Sequence, residues 1–336
     1  MGVPCNGILE PDPGPSSKIS WLEKASLGTT TLFHSCKGLV RVSPSMAKFA
    51  EDFVPDLRRL KSWPSMEDSP WRQPYLADLT YGELYRLVNE FIIGQGLRAL
   101  DFGCGTGFLS LELSREGHDV LGLDSDEEGV NIAVRTMNSD PFASERGPLR
   151  YECADFTSWD GPEGSFDLVV ISRTLHHIPQ PEKALDKVHR LLRETGRIIC
   201  IDFAYDQFDQ RTATWLYHMQ RALEQAGWYK PPSKLPSDTT AATHHIVEEW
   251  FSEYEKKEKF NRFEEMQRPL SRLFREDHFS WKPYLYWEII QRMRVPSDQV
   301  ELEMTRTISS MERTLIETKQ IKPVLFCFVG SKAQVP

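Results

Sequence analysis

Among its six cysteines the chain has no C-x-x-C pair, and so no zinc or thiol-redox framework of the common kind. Cys104, Cys153, Cys200 and Cys327 instead fall in or beside apolar runs, where small buried hydrophobes belong. No apolar run reaches the ~18 residues of a membrane span, and the opening "MGVPCNGILEPDPGP" lacks the apolar stretch of a secretory signal. A cytoplasmic protein without a membrane span is therefore expected. Gly2 and Cys5 invite a lipid-anchor reading, but Asn6 stands where the myristoylation pattern wants Ser or Thr. Positive charge is also short: 40 Lys+Arg stand against 49 Asp+Glu, a formal charge of −9. That balance disfavours an electrostatic grip on a phosphate backbone, so nucleic acid is not an expected partner. No internal repeat or long low-complexity tract is present.

What the chain does have is 336 residues, enough for one elaborated domain or two. Residues 1–79 are rich in Pro and Ser and read as an arm, with "SMAKFAEDFVPDLRRL" as a short amphipathic helix. At Thr80 and Glu83 a capping-box spacing opens a helix carrying Leu84, Leu87, Val88, Phe91 and Ile92. From there the runs "LRALDFG", "HDVLGLD", "LRYECAD", "FDLVVIS" and "GRIICIDFA" read as strands with helices between most of them. Ser125 and Glu128 form a second capping box, and a helix with Leu185, Val188, Leu191 and Leu192 is expected to stop at Gly196. This alternation predicts a doubly wound α/β core with a mostly parallel sheet over residues 80–204.

After Asp202 the alternation lapses for roughly a hundred residues, too many for a plain connection. Residues 205–298 are crowded with aromatics and are expected to form a helical lid, with "EYEKKEKFNRFEE" as a solvated helix face. Residues 299–336 then supply a long amphipathic helix, marked by Val300, Met304, Ile308, Met311 and Leu315, and a closing strand "PVLFCFVGSK".

Three glycines on alternate positions, Gly103, Gly105 and Gly107, directly follow the first strand. Alternating glycines between a strand and a helix make a tight turn that lets a ligand approach the backbone. A dinucleotide fingerprint needs G-x-G-x-x-G, and Gly107 comes one place early, which weakens a nicotinamide reading. The run Asp101-Phe-Gly103-Cys-Gly105-Thr-Gly107 resembles the first motif of class I S-adenosylmethionine-dependent methyltransferases. Asp124 ends the second strand near the ~20-residue spacing at which an acid meets ribose hydroxyls. "CADF" ends the third strand, and "FDLVVISRTLHHIPQPEKALDKVHRLLRETGRI" resembles the region after the fourth in the ubiquinone and menaquinone biosynthesis methyltransferases. The resemblance covers about residues 80–204. It implies a seven-stranded Rossmann-like sheet with an antiparallel last strand, completed by the closing strand. It also implies a cofactor site built from Asp101, Gly103, Cys104, Gly105, Gly107, Asp124, Ser125, Asp155, Phe156 and Ser172. S-adenosylmethionine would be the cofactor, S-adenosylhomocysteine its product, and no metal would be needed.

A sulfonium methyl is already electrophilic, so the protein's main task would be to align an acceptor and exclude water. His176 and His177 follow the fourth strand and are the candidate general bases. Asp167 reads as a turn residue entering a strand. His244, His245 and His278 read as surface or helix-end residues, because adjacent histidines point to different sides of a regular element. Trp281, Tyr284 and Tyr286 are the candidate acceptor contacts in the lid, with Tyr75, Trp71 and Tyr81 of the arm closing the other side. The leading expectation is methyl transfer to oxygen, nitrogen or carbon of a small organic acceptor. A peptide or protein acceptor, a cofactor-binding partner without turnover, and a nicotinamide oxidoreductase are the rivals. Oligomeric state is left open.

Overall fold

The computed structural model describes residues 53–66, 69–229 and 235–332, and in it seven strands form one sheet. They are β1 (Arg98–Phe102), β2 (Asp119–Asp124), β3 (Leu149–Cys153), β4 (Phe166–Ser172), β5 (Leu192–Phe203), β6 (Phe274–Lys282) and β7 (Leu325–Lys332). Their order is β3-β2-β1-β4-β5-β7-β6. Strands β1 to β5 pair in parallel, β7 runs antiparallel to β5, and β6 runs antiparallel to β7. The sheet is doubly wound, because successive strand residues point to opposite faces and both faces are apolar. Leu100, Phe102, Val169 and Ile171 enter one core layer, and Ala99, Leu168, Val170 and Ile199 the other.

The helices are α1 (Glu83–Glu90), α2 (Phe108–Arg115), α3 (Glu127–Asn138), α4 (Pro181–Leu191), α5 (Gln210–Gln225), α6 (Thr239–Phe251), α7 (Phe263–Leu273), α8 (Leu285–Ile290) and α9 (Asp298–Glu317). α4 and α7 cover one face through Leu185, Val188, Met266 and Leu270. α1 and α2 cover the other, together with Phe53, Met66 and Trp71 from the segment before the sheet. A third core layer of α5, α6, α8 and α9 centres on Leu216, Ile246, Trp250, Leu285 and Ile308.

Several local expectations are corrected. Gly2, Cys5 and residues 45–52 of the expected N-terminal helix lie outside the described residues, and residues 53–60 form no helix. Thr80 caps nothing: its hydroxyl donates to Leu76 O at 2.7 Å, within a helical run that enters α1 through wide turns at Asp78–Gly82. The cap of α3 is Asp126, not Ser125, because its carboxylate accepts from Glu128 N and Gly129 N at 3.2 and 3.1 Å. α4 ends at Leu191 rather than Gly196, since Leu192 is extended and pairs with Phe166. The 205–298 segment is not wholly helical, because β6 lies in it. That strand is an edge strand whose first half carries Arg275, Glu276 and Asp277, charges that discourage further pairing and also break the apolar run a reader looks for. Only Ile308 of the predicted α9 stripe is fully buried. The buried face instead includes Glu301, Thr305, Ser309 and Glu312, while Met311 is exposed.

Candidate active site

After Phe102 the backbone leaves the sheet through Gly103, Gly105 and Gly107, all left-handed at φ 78, 51 and 81°. Other residues rarely hold that conformation. Gly103 N and Cys104 N donate to Leu123 O at 2.8 and 3.2 Å, and Gly105 N donates to Asp124 Oδ2 at 2.7 Å. The other Asp124 oxygen accepts from Asp126 N at 2.9 Å, so one strand-end carboxylate ties the glycine turn to the start of α3. The glycines answer to different neighbours. A Cβ on Gly107 would come within 2.5 Å of the Tyr151 hydroxyl oxygen, whereas one on Gly105 would meet no atom of the described residues within 4 Å. Gly107 is needed for packing; Gly105 faces open space.

That space is a cleft of about 1400 Å³ at the carboxyl ends of the parallel strands. Gly103, Gly105, Asp124, Ser125, Asp155, Phe156, Arg173, Thr174 and His177 line it. Asp155 is exposed, and its carboxylate accepts from Thr157 N and Oγ1, both at 2.7 Å, which lowers its pKa. Phe156 is buried and stacks on Phe102 with ring centroids 3.8 Å apart. Lys187 lies 5.1 Å above the Phe156 ring and donates to Phe156 O at 2.7 Å. Four expected cofactor residues do not line the cleft. Asp101 is buried and accepts from Ser110 Oγ at 2.6 Å, with its pKa raised to about 6 by burial. It braces the first turn of α2. Cys104 turns its thiol toward Gly105 O, Gly107 packs on Tyr151, and Ser172 accepts from Thr174 Oγ1 at 3.0 Å through its carbonyl.

The segment after β4 is organised by Asp202 at the end of β5. Its buried carboxylate accepts from Thr174 N at 3.2 Å, from Leu175 N at 2.6 Å, and pairs with His176 Nδ1. His176 is buried, its ring packed against His177, Phe203 and Phe260. It lines neither the cleft nor the cavity described next. His177 does line the cleft. Desolvation, with His176 alongside, lowers its pKa below the usual imidazole value although the residue is exposed at the cleft, so the ring is neutral at neutral pH.

A second cavity of about 320 Å³ adjoins, walled by Leu79, Tyr81 and Leu84 on one side and by Lys282, Tyr284, Tyr286 and Trp287 on the other. Arg173, left-handed at φ 53°, lines both spaces. Glu312 of α9 holds the far wall. It accepts from Tyr284 N, Leu285 N and Tyr286 N at 2.8, 2.9 and 2.7 Å, which satisfies the open N–H groups at the start of α8. Burial pushes its pKa up to about 7 against those donors. Two of the expected acceptor residues lie elsewhere. Trp281 packs on Phe263 at 4.9 Å on the other side of β6, and the Tyr75 hydroxyl donates to Glu301. His244, His245 and His278 are not brought together: His245 pairs with Glu249 at 3.2 Å and His278 with Ser280 at 2.8 Å. Among the described residues no cluster suits a metal ion, and no helix is long and apolar enough to cross a membrane.

Sequence reasoning missed Arg173, Lys282 and Glu312. Arg173 had one available signal, its place immediately after the fourth strand. Glu312 had none, because a carboxylate on an amphipathic helix reads as solvated.

Residues 100–200 match the profile of a methyltransferase domain family. The chain is 30% identical over 141 residues to the ubiquinone/menaquinone biosynthesis C-methyltransferase UbiE of Vibrio vulnificus, covering 39% of this chain and 53% of that one. It is 29% identical over 154 residues to the uncharacterized methyltransferase YcgJ of Bacillus subtilis, covering 41% and 58%. The chain thus spans a little over half the length of these curated relatives. Among solved structures, phosphoethanolamine N-methyltransferase 2 of Haemonchus contortus, in complex with phosphomonomethylethanolamine and S-adenosylhomocysteine, superposes with a TM-score of 0.49 at 16% identity, over 76% of this chain and 53% of that one.

Proposed function

We propose that this chain, which carries a class I S-adenosylmethionine-dependent methyltransferase domain, transfers a methyl group to oxygen, nitrogen or carbon of a small organic acceptor. The observation that carries the reading is the meeting of the two spaces at Arg173, with the glycine turn on one side and an aromatic cavity on the other. The open position at Gly105 supports the fit of an adenosyl ligand, since a side chain there would project into the cleft. Gly105, Asp124, Asp155 and Phe156 are the residues we assign to holding it. When bound, S-adenosylmethionine supplies an electrophilic sulfonium methyl and leaves as S-adenosylhomocysteine.

The chain's own work is positioning. Tyr284 and Tyr286, fixed through their backbone by Glu312, orient the acceptor and keep water from it. A volume of about 320 Å³ supports a compact acceptor rather than a folded protein. Of the two histidines we assign proton acceptance to His177, whose neutral ring lines the cleft. Its low pKa makes it a modest base, suited to an acceptor whose proton is already labile. His176, held by Asp202, is a positioning residue for this loop.

Calorimetry tests the reading: purified protein should take up S-adenosylhomocysteine, and uptake of a nicotinamide dinucleotide in its place would overturn it. His177→Ala should lower turnover by about a hundredfold while changing cofactor affinity far less. Unchanged turnover would remove the histidine from the mechanism.

A further inference from the structure

The aromatic cavity carries its charges unequally matched. Arg86 is held by Asp78 at 2.7 Å and Arg313 by Glu83 at 3.7 Å. Arg173 and Lys282 also line the cavity, and neither has an ion-pair partner among the described residues. Burial raises the phenol pKa of Tyr81, Tyr284 and Tyr286, and in each case the charge of Arg173 opposes the rise. Arg173 is exposed and lines the cavity together with these three tyrosines. Lys282 is half-buried on the same wall as Tyr284 and Tyr286.

Arg86, Arg173, Lys282 and Arg313 stand against Glu83 and Glu90 in the lining, and this net positive charge beside aromatic and aliphatic walls calls for an anion attached to an apolar body. A guanidinium presents parallel N–H donors that fit the two oxygens of a carboxylate, and an ammonium adds a point charge. Glu83 and Glu90 line the same cavity. Their presence tells against a doubly charged head, because a second negative charge would meet carboxylate repulsion.

We propose that the acceptor is a small carboxylate, its flat apolar body seated among Tyr81, Tyr284 and Tyr286 and its single negative charge held by Arg173 and Lys282. The proposal rests on the methyltransferase reading and narrows its substrate class.

The test is calorimetric titration of the S-adenosylhomocysteine-saturated protein with benzoate, phenylacetate and indole-3-acetate, each beside its carboxamide, and with phenyl phosphate. At least one carboxylate should bind about tenfold or more tighter than its carboxamide. Lys282→Met and Arg173→Gln should each erase that preference, and Lys282→Met should leave S-adenosylhomocysteine affinity within about twofold. The proposal is overturned if no carboxylate outbinds its amide, if phenyl phosphate binds tighter than every carboxylate, or if both variants keep the preference. Wild-type protein that takes up no S-adenosylhomocysteine removes the methyltransferase reading together with this one. Uptake without a carboxylate preference removes this one alone.

Discussion

The two spaces that meet at Arg173 are built in different ways. The glycine-turn cleft is made of consecutive strand ends, and its contacts are largely backbone: Gly103 N and Cys104 N on Leu123 O, and Gly105 N on Asp124. The aromatic cavity is assembled from α1 and the run before it, the end of β4, β5, the β6–α8 corner, α9 and the start of β7. Its shape depends on a carboxylate in α9 that accepts three N–H groups from the start of α8, the helix before it in the chain. A backbone-built site tolerates little change at its glycines. A site built from distant side chains can be altered without touching the first, so variants should separate cofactor binding from acceptor binding.

The largest effect should come within the glycine turn itself. Gly107→Ala puts a methyl 2.5 Å from the Tyr151 hydroxyl oxygen at φ 81°. It should cost about 3 kcal/mol of stability, read by chemical denaturation. Gly105→Ala meets no atom of the described residues, so its stability loss should be only about 1 kcal/mol of left-handed strain. S-adenosylhomocysteine affinity should nevertheless fall by about tenfold or more, because the methyl enters the cleft. Equal stability losses for the two glycines would erase the distinction drawn between them.

On the acceptor side, Glu312→Gln replaces one accepting oxygen with an amide that faces an N–H. Stability should fall by about 2 kcal/mol and turnover with it, while S-adenosylhomocysteine binding stays close to wild type. A parallel loss of cofactor affinity would show that the two regions are not independent.

The smallest effect is a pH dependence. Glu288 of α8 is fully buried, with one oxygen unpartnered, and burial pushes its pKa from 4.5 up to about 8. Between those values the folded chain binds this proton more tightly than the unfolded chain. Its contribution to stability therefore falls as pH rises from 4.5 to about 8. Glu288→Gln should accordingly gain stability relative to wild type as pH rises from 4.5 to about 8, with the gain gone near pH 4. A pH-independent difference would place the carboxylate in a less desolvated setting.

The cofactor half was legible because its chemistry is local. The glycine spacing, Asp124 and Asp155 stand at strand ends, and strand ends can be read from alternation and breaks in it. Even there the direction of side chains was not legible: Asp101 and Cys104 belong to the same motif as Gly105, yet turn toward α2 and the loop backbone. On the acceptor side, Tyr284 and Tyr286 were picked out as aromatics in the right segment, but Trp281, three residues before Tyr284, packs on the opposite side. Strand β6 escaped notice because an edge strand need not be apolar.

By itself the sequence determined the alternating strands and helices, the glycine turn and the carboxylates flanking it, since each depends on neighbours within a few positions. Tertiary packing decided that α9 buries Glu301 and Glu312 in place of its methionines, and that His176 is braced while His177 faces the cleft. It also brought Arg173 and Lys282 to one cavity, with no ion pair to either among the described residues. The reason is range: a hydrogen bond or an ion pair between segments far apart in the chain has no local period to announce it, and only the folded chain says which polar groups meet.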